Sequence, residues 1–147
     1  MITHDLSEQD AAFRAAFETF GIEPAEFDHR SHVRLAYTYL ARSDVERAFQ
    51  EMRGSLLAFL NHNNVPASKF HETLTRSWIL AVHHFMDKAP TSSFDDFIEL
   101  NPALLDSKIM LTHYSAGLLF SEHARGQFVE PDIEAIPTMT HPHRAVT

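Results

Sequence analysis

Apolar residues recur every three or four positions through most of this chain, which is the spacing of one face of an α-helix. The first such stretch includes Phe13 and Phe17, follows the capping residue Ser7 and stops at Gly21. No stretch shows the strict alternation of apolar and β-branched positions that is typical of a strand. The pattern therefore predicts an all-α protein.

Capping residues and prolines divide the rest of the chain into further helices. The polar segment 61–66 is typical of a turn and separates the third predicted helix from the fourth. Helices are predicted over about 28–42, 43–60, 67–88 and 107–128, and two shorter ones open at Ser93 and Asn101.

Beyond residue 128 the apolar pattern fades, and Pro131, Pro137 and Pro142 interrupt any regular element. We therefore expect one helical-bundle domain of about five to seven helices over residues 1–128, followed by an irregular tail over residues 129–147. A length of 147 residues suits a single domain with its own core.

Composition narrows the classes of function. The net charge of −8 and the scattered basic residues disfavour nucleic acid as a partner. The apolar runs are too short to span a bilayer, and the first residues lack the features of a secretory signal, so we expect no membrane association and a cytoplasmic location. The absence of cysteine excludes thiolate metal sites, which leaves histidine, carboxylate or tyrosine as metal ligands.

Histidine is the residue type in clear excess, with 11 copies. On a helical wheel of the second helix, His29 and His32 fall on the apolar side, one turn apart. On the wheel of the fourth helix, His71 falls within the apolar arc and Glu72 lies at its edge. We therefore expect His29, His32 and His71 to face inward from two neighbouring helices.

Three imidazoles that converge in a small core indicate a shared purpose, because their ring nitrogens would otherwise each need a separate hydrogen-bond partner. The set suits a divalent transition metal, such as zinc, iron, copper or nickel, held by three protein ligands with open positions. His113 on the last predicted helix is a fourth candidate ligand. Glu72 and Tyr114 are the candidate catalytic or supporting residues.

Other metal motifs are incomplete in this chain. The zinc-protease helix motif needs a second histidine where Thr75 stands. The carboxylate-bridged di-iron pattern needs Glu-x-x-His on two helices, and Glu26 to His29 is its one match. The tail segment His141-Pro-His143 has ligand chemistry for copper or nickel, and an incidental pair of exposed histidines is the alternative interpretation.

Two segments resemble the signature segments of a family of small uncharacterised bacterial helical proteins. They are Phe27-Asp-His-Arg-Ser-His-Val-Arg-Leu-Ala-Tyr-Thr-Tyr-Leu40 and Phe70-His-Glu-Thr-Leu-Thr-Arg-Ser-Trp78, and Phe128-Val-Glu-Pro-Asp132 resembles that family's usual ending. The resemblance implies a site at the three histidines and brings no established activity. The plan is also similar to the DinB-like metal-binding bundles, although the His-x-x-x-His pair expected on a late helix is missing.

These observations lead to three hypotheses about function. The first is a metal-dependent enzyme that acts on a small molecule, with Glu72 moving a proton. The second is a metal-free enzyme in which His71 and Glu72 perform acid–base catalysis. The third is a non-catalytic module whose histidines line a pocket for a small ligand. A homo-oligomer is compatible with each of them.

Overall fold

A computed structural model describes His4 and residues 6–136 of the protein. In this part of the chain there are seven α-helices and four short 3-10 helices, and one isolated bridge joins His4 to Thr91. The α-helices are α1 (Glu8–Glu18), α2 (His29–Leu40), α3 (Val45–His62), α4 (Glu72–Met86), α5 (Phe94–Leu100), α6 (Ala116–Leu119) and α7 (Glu122–Gly126). The 3-10 helices are Pro24–Glu26, Ala67–Lys69, Pro102–Leu105 and Ile109–Thr112. The prediction of an all-α domain with five to seven helices is confirmed. Of the helices in this described part, none combines the length and the apolar surface that a bilayer span requires.

Helix α2 is buried on every side over its second half. It packs against α1, α3, α4 and α5, and every residue from Leu35 to Leu40 is buried. Even Thr38, which the helical wheel assigns to the solvent side, is fully buried, and its hydroxyl donates to the backbone oxygen of Leu35. A helix that is enclosed on all sides forms the centre of its domain. The position of α2 therefore determines where its first turn, with His29 and His32, lies.

Asp10 on α1 connects three helices through one buried carboxylate. It accepts a hydrogen bond from Arg34 on α2 at 3.0 Å and another from the backbone N–H of Phe94, the first residue of α5, at 2.8 Å. Asp10 is 2% exposed, so protein donors and not bulk water satisfy its oxygens. The backbone N–H of Asp10 donates to the N-cap Ser7, and the carboxylate has this long-range role in addition.

Helix α4 starts at Glu72 and not near Ala67 as the apolar pattern predicts. The segment Ala67–Lys69 forms a separate 3-10 turn, and the two residues after it have extended backbones. His71 is the N-cap of α4, because its Nδ1 accepts a hydrogen bond from the backbone N–H of Leu74 at 3.1 Å. Histidine is not among the usual N-cap residues, which explains why the wheel placed His71 inside the helix.

The end of α1 also differs in detail from the prediction. Phe20, and not Gly21, has the left-handed backbone, with a φ of 66°. Glycine is favoured at position 21 because the backbone of α1 lies close to it. A Cβ atom there would lie only 3.3 Å from the backbone oxygen of Ala16. The ring of Phe20 stacks on His62 with centroids 4.2 Å apart, which joins the ends of α1 and α3.

The helical region predicted over 107–128 consists of three short helices that follow one another. The side-chain oxygens of Ser115 and Ser121 each cap a new helix, so the helical region is interrupted twice. The first residues of the predicted tail are ordered against the domain: Ser115 donates to Asp132 at 2.6 Å, and Ile136 is buried. The rest of the predicted tail, including the pair His141 and His143, lies outside the described residues.

Replacing Asp10 by alanine tests the connection between α1, α2 and α5. We expect Asp10→Ala to lower the free energy of unfolding by about 3 kcal/mol, because Arg34 and the Phe94 N–H lose their acceptor. The matched control is Asp95→Ala, which removes an ion pair with Arg30 whose side chains are 84% and 44% exposed, and we expect a loss below about 1 kcal/mol. Urea unfolding followed by circular dichroism measures both variants. Equal losses would contradict the role assigned to the buried carboxylate.

Candidate functional site

A cavity of about 410 Å³ lies beside the first turn of α2, between α2, α3 and α4. Its walls are mostly apolar, and His29, His32 and His71 lie among them. The main apolar walls are Phe27, Leu56, Phe59, Leu60, Phe70 and Trp78. An apolar cavity of this size with a few convergent polar groups is typical of a small-molecule site.

A larger groove of about 780 Å³ lies on the outer surface beside α1 and the start of α3. Four of its charged side chains form ion pairs with one another: Arg14 pairs with Glu18 at 3.3 Å, and Arg47 pairs with Glu51 at 3.7 Å. None of the histidines borders it among the described residues. The histidine-lined cavity is therefore the better candidate for a functional site.

His29 is the first residue of α2, and two contacts hold its ring. Nε2 lies 3.0 Å from the backbone oxygen of Leu104, and because a carbonyl only accepts, Nε2 carries the proton. The ring also meets Trp78 edge to face, with centroids 4.6 Å apart. In the neutral ring Nδ1 then carries a lone pair, and no residue of the described chain donates to it.

His71 has both ring nitrogens engaged with the backbone. Nδ1 accepts from the N–H of Leu74, so Nε2 carries the proton and donates to the backbone oxygen of Leu119 at 2.7 Å. Burial lowers the pKa of His71, and the charge of Arg125 acts in the same direction, while the bond to Leu119 opposes them. His71 is therefore a neutral connector between the start of α4 and the end of α6.

His32 lies one turn beyond His29, and neither of its nitrogens hydrogen-bonds to another described residue. Its ring contacts Phe27 edge-on, with centroids 5.9 Å apart. Burial, with a smaller contribution from the charge of His29, lowers the pKa of His32 to about 4. At neutral pH this ring is uncharged and offers one N–H donor and one lone pair to the cavity.

The three histidines therefore line one cavity, and the metal site expected from the sequence stays a prediction. Within the described residues no group of three or more His, Asp or Glu side chains is arranged to hold a metal ion. His71 has no free ring nitrogen, because both form hydrogen bonds to the backbone. The nitrogens that remain available to a metal or a ligand are Nδ1 of His29 and both nitrogens of His32.

The other three candidate residues lie away from this cavity. Glu72 forms an ion pair with Arg53 at 2.6 Å and borders a separate surface groove. Tyr114 is buried and donates to the backbone oxygen of Val129 at 2.6 Å, and burial raises the pKa of its hydroxyl. Nδ1 of His113 lies 2.8 Å from the backbone oxygen of Glu134, within hydrogen-bond distance. Their catalytic or metal-binding roles stay predictions.

Several groups that shape the cavity have no signal in the sequence. Lys69 and Ser107 line its rim, and the Leu104 carbonyl orients His29. These groups belong to 3-10 turns or irregular segments, which carry no apolar period. A backbone carbonyl has no side-chain signature at all, so no pattern in the sequence identifies it as a partner.

The lowered pKa of His32 predicts acid sensitivity of the fold. The folded chain holds His32 neutral down to about pH 4, whereas an unfolded histidine gains a proton near pH 6.5. The stabilisation is therefore complete above pH 6.5 and is lost as the pH falls from 6.5 toward 4, by up to about 3 kcal/mol. We expect His32→Gln to reduce this loss, measured as the free energy of unfolding between pH 7.5 and 4.

The exposed His123→Gln on α7 serves as the matched control, and we expect it to keep the wild-type pH profile. Some acid sensitivity will persist in both variants, because burial also lowers the pKa of His4 and His71. A profile for His32→Gln that coincides with the control would contradict the burial of a neutral His32.

Comparison of the chain with protein-family models, with curated proteins and with solved structures gave no match. The resemblance of segments 27–40 and 70–78 to a family of helical proteins therefore stays a prediction. These two segments contribute most of the residues that line the cavity. What the cavity does has to be inferred from its own geometry and chemistry.

Proposed function

We propose that this protein binds a small molecule in the cavity lined by His29, His32 and His71. The observation that carries the proposal is His32, a half-buried imidazole that borders the cavity with no hydrogen-bond partner among the described residues. A ligand that bonds to this ring between apolar walls forms a hydrogen bond that is stronger than the same bond in bulk water. The apolar walls supply the remaining affinity.

Binding is favoured over acid–base catalysis by the electrostatics of the site. A histidine whose pKa is about 4 is a weak base at neutral pH, whereas an efficient general base has a pKa near the working pH. Glu72, the expected proton carrier, is engaged by Arg53 through two nitrogens at 2.6 and 2.7 Å. These features support a ligand-binding module.

Thermal unfolding with a panel of neutral one-ring and two-ring compounds tests the proposal. A compound present at about ten times its Kd should raise the melting temperature by about 4 °C, because it binds the folded state alone. It should also change the fluorescence of Trp78, which is the one tryptophan of the chain and lines the cavity.

Two variants on α4 locate the binding site. Leu74→Trp places a large ring in the cavity and should abolish the thermal shift, whereas Leu80→Trp, on the same helix and off the lining, should retain it. Circular dichroism confirms that both variants fold. Equal shifts in the two variants would place the ligand elsewhere, and a panel that changes neither melting temperature nor Trp78 fluorescence would overturn the proposal.

A metal-dependent enzyme acting on a small molecule is our second candidate. The observation that favours it is the bond from Nε2 of His29 to the Leu104 carbonyl, since metal-ligating histidines usually donate their other N–H to such a group. In this proposal a divalent zinc, iron, copper or nickel ion is held by Nδ1 of His29 and by His32. Exogenous molecules complete the coordination.

Metal-dependent stabilisation tests this second candidate. The full chain with His141→Ala and His143→Ala, which removes the tail pair, should gain melting temperature on addition of Zn²⁺. His32→Gln in that background should abolish the gain, and His71→Asn should leave it, because His71 has no free nitrogen. Elemental analysis of the untagged protein gives an independent measurement. A gain that survives His32→Gln would show that the metal binds elsewhere.

A further inference from the structure

The walls of the cavity are suited to a planar ring. Phe27 and Phe59 meet with centroids 5.6 Å apart, and Trp78 and His29 meet edge to face. Aromatic side chains favour stacked or edge-to-face contact with another ring. The volume of about 410 Å³ is near the lower end of small-molecule sites and accommodates a compound of one or two rings.

The electrostatics of the cavity favour an uncharged ligand. Among the described lining residues the charged ones are Asp28 and Lys69, which have opposite signs and are both exposed. The Asp28 carboxylate is already used as the N-cap of α2, since it accepts from the N–H of Ser31 at 2.9 Å. An ionised ligand would lose its hydration without gaining a buried counter-charge.

The free nitrogens define the hydrogen bonds that a ligand has to make. In the neutral form of the His29 ring Nδ1 only accepts, because the bond to Leu104 assigns the proton to Nε2. His32 has no such restriction and presents either an N–H or a lone pair. A hydroxyl oxygen donates to one ring and accepts from the other, whereas an ether only accepts and a carboxylate is charged.

From this combination we infer that the ligand is a small neutral aromatic compound with a hydroxyl group, that is, a phenol whose O–H donates to His29 and accepts from His32. The inference rests on the proposed binding function and specifies its ligand class. The phenol ring would lie among the aromatic walls, and the hydroxyl would lie at the first turn of α2.

Three matched probes test the ligand class at pH 7.5: 4-fluorophenol, 4-fluoroanisole and 4-fluorotoluene, titrated against the full chain and followed by fluorine NMR. They share the fluorinated ring, and the hydroxyl and methyl groups match in size, while the methoxy group is larger by one carbon. The groups differ in whether they donate and accept, only accept, or do neither. We expect 4-fluorophenol to bind at least about tenfold more tightly than the other two, because its hydroxyl gains two hydrogen bonds beside apolar walls.

His32→Phe keeps an aromatic ring at position 32 and removes its hydrogen bonds. We expect this variant to reduce the preference for 4-fluorophenol severalfold without abolishing it, because its hydroxyl keeps only the bond to His29, while the control His123→Phe, at an exposed position on α7, keeps the wild-type preference. The wild-type comparison alone decides the question if His32→Phe does not fold.

The remaining outcomes separate the ligand class from the binding function. Equal affinity of the wild type for all three probes would overturn the phenol assignment and leave small-molecule binding in place. Preference for 4-fluorophenol that grows as its hydroxyl ionises would overturn the requirement for a neutral ligand. If no probe binds while other compounds shift the melting temperature, the ligand class is wrong, and if no compound binds at all, both proposals fail.

Discussion

Burial of the second half of α2 on every side is the constraint on which the rest of the structure depends. Four helices pack around it, and even Thr38 on its polar side is enclosed. The Asp10 carboxylate fastens this arrangement, because it binds Arg34 of α2 and the first backbone N–H of α5 at once. A central helix held in this way has little freedom to move its first turn, so the rings on that turn are presented to the cavity in a preorganised position.

The three histidines share one cavity and have three different physical states. Both ring nitrogens of His71 form hydrogen bonds to the backbone, and one ring nitrogen of His29 does so. His32 has no such partner. The imidazole that forms no hydrogen bond to the backbone is therefore the one most available to another molecule. A histidine that points inward can bind a metal or another molecule only if the fold leaves at least one of its ring nitrogens without a hydrogen bond.

Local sequence signals predicted much of the fold. The helical period identified the long helices, and Ser7, Asp28 and Ser93 cap α1, α2 and α5 as their residue types predict. The prediction fails where a residue of an unusual type caps a helix, as His71 does, and where serines restart a helix, as Ser115 does. In both places a hydrogen bond between a side chain and a backbone N–H determines where the helix begins, and the spacing of apolar residues does not show that bond.

The sequence by itself determined the helical class of this protein and the inward direction of His29 and His32, because the period of the apolar residues places both on the buried face of α2. Only the tertiary structure decided which nitrogens stay free. The carbonyl that binds His29 comes from 75 residues away and the one that binds His71 from 48 residues away. Backbone carbonyls are the same in every residue, so their position, and with it the chemistry left to each imidazole, follows from packing alone.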